Sequence, residues 1–315
     1  MTTTLEREQA PFPEFDLKAG RLAAGRKWRN RFATVFMIGA FFVAAIPLFF
    51  VLLTVVTKGL SVISADWFTA DIPDVASSVL ASKFGATDVA PVVYGMAPAI
   101  VGTLLTTGLA TLIAVPLGIL GAIYLNEYGR QRRFAQVLRF FTDVMIGVPS
   151  VIMGVFLYAV WVVPRGVDGR SAVAGGLALA CLMLPIVVRS TEEMLKLVPD
   201  HLREASLALG SRTSRATMTV VVPAALPGIT SGCMLAIARA AGETAPLLLT
   251  IGSTRFLNAH FSGVNTALST QIFSNVTQPG GEPLAWGAAL TLIALVLIFT
   301  LLARFVTSRF ALAQS

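Results

Sequence analysis

Long apolar runs alternate with short polar segments along this chain, and the apolar runs cover residues 33–56, 99–125, 142–163, 171–188, 224–251 and 284–305. A bilayer core of roughly 30 Å needs about 20 helical residues to cross it. The pattern therefore predicts an all-α fold: a polytopic membrane bundle of about six transmembrane helices. Residues 1–32 are polar, mixed in charge and interrupted by Pro11 and Pro13. They predict a mostly flexible cytoplasmic tail, with a short amphipathic helix before the membrane as the alternative, followed by one membrane domain over 33–309. The first apolar run is too long for a signal-peptide core and lacks a small-residue cleavage site, so it reads as a retained span.

Basic residues set the expected orientation. The tail, the loop with Arg130, Arg132, Arg133 and Arg139, the loop over 189–223, and the end with Arg304 and Arg309 are rich in Lys and Arg. The alternate loops are not: 57–92 carries Asp66, Asp71, Asp74 and Asp88 against Lys58 and Lys83, and 252–282 has little charge. Basic loops stay in the cytoplasm, which predicts both termini there. The composition agrees, with 55% hydrophobic and 13% charged residues, the latter about half the usual share of a soluble domain. The net charge of +7 then speaks of loop orientation, not of nucleic acid.

Several chemistries drop out. Cys181 and Cys233 lie in apolar runs and read as small buried hydrophobes. His201 and His260 sit in separate loops, and no metal-ligand spacing occurs. There is no Walker A sequence, so the chain is expected to bind neither ATP nor Mg itself. No nucleophile–base pair points to an enzyme.

The loop over 189–223 has an internal plan. Pro199 and Asp200 mark a helix start. Leu202, Ala205, Ala208 and Leu209 then fall on one side at helical spacing. Gly210 suits a left-handed stop, and a second helical stretch near 211–214 leads to Pro223. The loop thus predicts two short helices with a glycine elbow. Its anchors are Glu204, Ala205, Ser206, three residues, Gly210, nine residues, Val220, one residue, Val222 and Pro223. This resembles the EAA loop of ABC importer permeases. The resemblance implies a coupling helix that docks in a groove of an ATPase subunit, with Glu204, Ala205, Ser206, Gly210 and Pro223 as its marks. Arg189, Glu192 and Glu193 just before it read as solvated helix-end charges; stabilising or gating the cytoplasmic end is the alternative.

The fifth run carries charge inside the membrane. Gly228, Gly232, Ala236 and Ala240 recur every four residues, and on a helical wheel Arg239 and Glu243 fall within that small-residue stripe. Ionisable groups in a span face protein or water, not lipid. A structural ion pair four residues apart and a substrate path both fit. For a path, Arg239 offers a permanent positive fork suited to an oxyanion. Glu243 repels a dianion unless the anion donates a hydroxyl proton, which hydrogen phosphate has and sulfate lacks. Thr244 joins them as a pathway candidate. Pro149 and Pro246 are expected to break helices near that path, and Pro185 is a third candidate.

Four further stretches narrow the resemblance: YGMAPAIVGTLLTTG at 94–108, GVPSVIMGVF at 147–156, LPIVVRSTEEML at 184–195 and ARAAGETAPLLLT at 238–250. Together they resemble the PstA-type permeases of phosphate-specific ABC importers, over about residues 90–306. That family implies a type I importer fold in a bacterial inner membrane. It also implies a second, PstC-type permease, two PstB-type ATPase subunits holding ATP and Mg, and an extracytoplasmic PstS-type phosphate-binding protein docking on 57–92 and 252–282. The alternatives are the same machine for phosphonate, sulfate or molybdate, and an ion-coupled secondary carrier using Arg239 and Glu243.

Overall fold

The computed structural model describes residues 24–84, 92–129 and 132–312. The tail expected over 1–32 lies outside them as far as residue 23, as do Asp88 and Arg130. Among the described residues every regular element is helical. The chain divides into two compact units, residues 1–53 and 54–315. The described part of the first is the opening of helix α1 (Ala24–Leu60). Its apolar side chains, Phe36, Phe41 and Phe49 among them, are exposed. A helix apolar on all sides suits a lipid environment.

The second unit holds α2 (Val75–Lys83), α3 (Ala97–Tyr128), α4 (Arg133–Gly147), α5 (Ser150–Arg165) and α6 (Ala172–Leu197), then α7 (Asp200–Ala208), α8 (Thr213–Gly242), α9 (Ala245–Thr250), α10 (Leu268–Thr277) and α11 (Glu282–Leu312). Among the described residues of the chain, five helices are long and apolar enough to cross a membrane, or six if the bent pair α4 and α5 makes one span. The all-α expectation holds.

Small residues set the centre of this unit. Ala110, Ala114 and Ala122 on α3 are fully buried. Gly118, on the same face, lies so close to Val187 of α6 that a Cβ there would sit 2.7 Å from its methyl. Helices without bulky contact residues approach closely, and in lipid this packing replaces the hydrophobic drive. Leu179, Met183, Val187 and Leu195 of α6 are buried at the same seam. On the other side α8 packs on α6, with Gly232 against Ser190 and Gly228 against Met194. A second cluster, Trp67, Met96, Leu268 and Leu284, closes the opposite end. Its indole is satisfied by donating to Thr291 Oγ1 at 2.9 Å.

Breaks matter as much as helices. The segment expected as a straight span over 142–163 is two helices meeting at 105°. Val148 and Pro149 between them are extended, and a proline has no N–H to carry the ladder through. The run expected over 224–251 ends as a helix at Gly242. Glu243 is extended at φ −69°, ψ 128°, and a new helix begins at Ala245. Pro185, by contrast, lies inside an unbroken α6. The polar stretch 189–223 lends both ends to neighbouring spans: α6 runs on to Leu197 and α8 starts at Thr213. Helices α3, α5 and α8 each contain a π turn, at Tyr124–Tyr128, Tyr158–Val162 and Thr217–Val221. Such turns are rare and concentrate at functional sites.

Candidate functional site: an arginine and a glutamate at a helix break

Helix α8 has two contrasting faces. Ile229, Cys233, Ala236 and Ala240 are buried, while Pro227, Ser231, Leu235, Arg239 and Gly242 form an exposed ridge. Arg239 belongs to that ridge, with its side chain 65% exposed. This corrects the wheel reading, which set Arg239 and Glu243 within the small-residue stripe. The stripe is filled by α6, and Arg239 stands at its edge, where a long side chain leaves the seam. Glu243 follows the last helical residue, so the wheel angle no longer describes it.

The pair is loose. Arg239 Nε stands 3.6 Å from Glu243 Oε1, and the glutamate side chain is 19% exposed. That separation makes an ion pair but exceeds a hydrogen bond, so the guanidinium donors are not spent on Glu243. The break itself is held from outside: Ser269 Oγ of α10 donates to the Glu243 carbonyl at 2.9 Å. Thr244 caps α9 without a side-chain bond, and Pro246 is buried in its first turn.

The two breaks lie on touching elements. A Cβ on Gly154 of α5 would sit 2.6 Å from Pro246 Cα, so only glycine permits this approach. Pro149 at the start of α5 and extended Glu243 with the cap residue Thr244 before α9 thus flank one contact. An exposed arginine on a membrane-crossing helix needs protein or water opposite, and backbone breaks are tolerated where they line a cavity. Chemically, the arrangement offers a fixed cation with free donors next to a carboxylate acceptor.

The loop anchors lie elsewhere. Glu204 and Ala205 on α7 are exposed, Ser206 is half-buried, and Gly210 adopts φ +81°, a left-handed conformation that favours glycine. Pro223 falls inside α8, early in its run after the π turn. Leu202 and Leu207 of α7 and Leu209 just past its end point outward and are exposed.

Sequence reading missed the inward side of this end. Glu192 is buried, its side chain 2% exposed, between Arg139 Nε at 2.9 Å and Lys196 Nζ at 2.8 Å. It is no solvated helix-end charge. Arg189 does lie at the surface, between Asp143 and Glu193. Arg203 of α7 turns inward to Glu127. No local pattern marks the Arg139–Glu192 and Arg203–Glu127 pairs, because their partners lie 53 and 76 positions away.

Known proteins give the family. Residues 114–312 match the model of the binding-protein-dependent transport system inner membrane component. The phosphate transport system permease protein PstA 1 of Mycobacterium tuberculosis (strain CDC 1551 / Oshkosh) is 41% identical over 295 residues, covering 91% of this chain and 92% of its own. The corresponding PstA proteins of Haemophilus influenzae and Yersinia pestis are 39% and 38% identical, over 87% and 91% of this chain and 93% and 92% of theirs. In fold, the chain is similar to the inward-facing MetNI methionine ABC transporter. The TM-score is 0.50 at 18% identity, over 66% of this chain and 91% of that one. The chain therefore belongs to the binding-protein-dependent inner membrane permeases, as a transport subunit of an ABC importer whose ATP hydrolysis takes place on another chain.

Proposed function

We propose that this chain forms half of the translocation path of an inorganic phosphate importer. The observation that carries the proposal is Arg239: a permanent cation, 65% exposed, on a membrane-crossing helix beside Glu243 at a helix break. A dianion crossing a bilayer needs a compensating charge where lipid offers none. Arg239 supplies it, and its fork suits tetrahedral oxygens. Glu243 accepts the hydroxyl proton of hydrogen phosphate and disfavours sulfate, which has none. Thr244 adds a hydroxyl at the same break, and Pro149 and Pro246 hold the breaks open. Phosphate is also the solute named in the relatives above, at about 40% identity.

The exposed face of α7 with Glu204, Ala205 and Ser206, ended by the Gly210 elbow and followed by Pro223, is the coupling element. Its outward leucines suit a groove on an ATPase partner. The full machine comprises a second, PstC-type permease, two PstB-type ATPase subunits with ATP and Mg, and a PstS-type phosphate-binding protein. It sits in a bacterial inner membrane with both termini of this chain in the cytoplasm. Nucleotide closure pushes 204–210 and turns the bundle outward, phosphate passes Arg239, and hydrolysis resets the path. Membership of the ABC importer permeases argues against the ion-coupled carrier.

The test is labelled-phosphate uptake at micromolar concentration in cells lacking this chain and other phosphate systems. The cells are complemented with wild type and with Arg239→Ala, and both proteins are quantified in the membrane. Uptake restored by wild type and not by the variant supports the reading. Restoration by both makes the pair dispensable for transport. Restoration by neither, with both inserted, moves the substrate to phosphonate, sulfate or molybdate.

A further inference from the structure

The coupling helix α7 has almost no buried surface of its own. Of its nine residues, seven are exposed, and those less exposed are Arg203 and Ser206. A helix so weakly seated transmits a push poorly unless a stiff link ties it to the bundle. The Arg203 side chain is 13% exposed. It donates from Nη2 to the Leu195 carbonyl at 2.8 Å and to Glu127 Oε1 at 3.2 Å. From Nη1 it donates to the Val198 carbonyl at 2.6 Å and to Asp200 Oδ1 at 3.0 Å. One guanidinium thus grips the end of α6 and the π turn of α3 together.

The same π turn is gripped a second time. Glu127 also accepts from Asn126 Nδ2 at 2.7 Å. Arg139 of α4 donates from Nη2 to the Leu125 carbonyl at 2.7 Å and from Nε to buried Glu192 at 2.9 Å. Two arginines on different helices therefore hold Leu125 and Glu127, two positions apart in one π turn, and neighbouring points of α6. Helix α4, carrying Arg139, leads to the 105° break at Val148 and Pro149. The arginine fork keeps direction as well as charge in such contacts, and a buried charge that loses its partner is strongly disfavoured. Separating any one of these contacts would therefore be costly.

Resting on the coupling role proposed for α7, we propose that Arg203 is a positioning residue. Through Glu127 and the Tyr124–Tyr128 π turn, it passes nucleotide-driven movement of α7 to Arg139, to α4 and so to the break before α5. In this reading the ATPase partner touches the outer face of α7, while the inner face works the gate.

The experiment uses the full transporter in proteoliposomes, with Cys181 and Cys233 replaced by serine and Ser150→Cys as a reporter at the break. Labelling of position 150 by a membrane-impermeant maleimide is compared with and without ATP and vanadate. Phosphate uptake and ATP hydrolysis are read on the same vesicles. The ATP-dependent change in labelling is expected to fall about fivefold or more, the low end of a typical inter-site coupling, in both Arg203→Met and Glu127→Ala. The double variant should lose no more than the worse single one, because two groups in one link are not additive. Arg203→Lys, which keeps the charge, should regain part of the change. Wild-type labelling changes in both single variants overturn the relay. Additive losses overturn it as well, since they mark two separate structural roles. Should Arg203→Met fail to insert, Glu127→Gln decides alone: it keeps the size and removes the charge, and an undiminished change in it sinks the idea. A wild-type complex with no ATP-dependent change at position 150 also overturns the relay, while its phosphate uptake judges the substrate reading separately.

Discussion

Two sets of arginine–glutamate contacts lie on this molecule, and they differ in almost every physical respect. At the basic end, Arg139 and Lys196 close on Glu192 at 2.9 and 2.8 Å, and the acid is 2% exposed. On α8, Arg239 stands 3.6 Å from a partially exposed Glu243 and is itself 65% exposed. Lys196 and Arg239 both pair with an acid four residues away. The first pair lies within a continuous α6, where that spacing stacks the side chains. The second straddles the end of α8, where Glu243 has left the helix. Short, buried pairs are costly to break. A loose pair with donors to spare has room for a ligand. Charge inside a membrane protein is therefore read from geometry, not from residue type.

Breaking the closed set should cost stability. Arg139→Met leaves buried Glu192 with Lys196 alone and strips the Leu125 carbonyl of its donor. The loss expected is about 3 kcal/mol, the usual effect of breaking a buried pair. Thermal unfolding of the detergent-solubilised chain measures it, and an unchanged melting curve would mean that the closed set holds nothing together.

Breaking the open set should cost transport instead. Arg239→Ala is expected to lower phosphate uptake about 100-fold, within the range for removing a charge that a bound ion pairs with, at unchanged membrane level and unfolding temperature. Loss of stability in step with uptake would return Arg239 to a structural role. A finer probe is Glu243→Gln. It keeps the size and removes the charge, so the preference for phosphate over sulfate should shrink about tenfold. Competition of labelled-phosphate uptake by unlabelled sulfate reads this, and an unaltered preference assigns selection to another part of the importer.

The smallest effect lies at the opposite end. Arg255 beside Asp74, aided by the Ser77 N–H, holds that carboxyl below its ordinary value of 3.8. A depressed folded-state value adds stability above the ordinary value, lost as pH falls through the folded one. The tie is solvent-exposed, so Asp74→Asn should cost under about 1 kcal/mol at neutral pH. Melting curves of the two proteins should converge as pH falls below about 4. A gap that persists in acid would mean that Asp74 acts through shape and not charge.

How much was legible varied with the range of the interaction. The apolar runs announce membrane helices because hydropathy is a local property. The Gly210 elbow is local too: Gly210 has φ +81° within the stretch where the sequence asks for a stop. Pro149 and Pro246 mark the neighbourhood of both breaks, whereas Pro185 sits in an unbroken helix, so proline alone does not specify a break. The wheel failed for Glu243 because it assumes a helix that continues past Gly242, whereas Arg239, still helical, stands on the exposed ridge beside the stripe. The outward leucines of α7 depart from the rule that an amphipathic loop buries its apolar side, as the docking face proposed for α7 requires.

The sequence by itself determined the helical class, the run of membrane segments, the polar loop between them and the placing of charge within the fifth apolar run. Each follows from residues within one or two helical turns of each other, where periodicity and backbone preference act. The tertiary structure decided which charges are spent and which are available. That choice rests on contacts between residues far apart in the chain: Arg203 with Glu127, Arg139 with Glu192, Gly154 with Pro246. Such contacts exist only once α3, α4, α5, α6, α7 and α9 are packed. Burial then fixes the cost of leaving any of those groups unpaired, and no linear pattern records it.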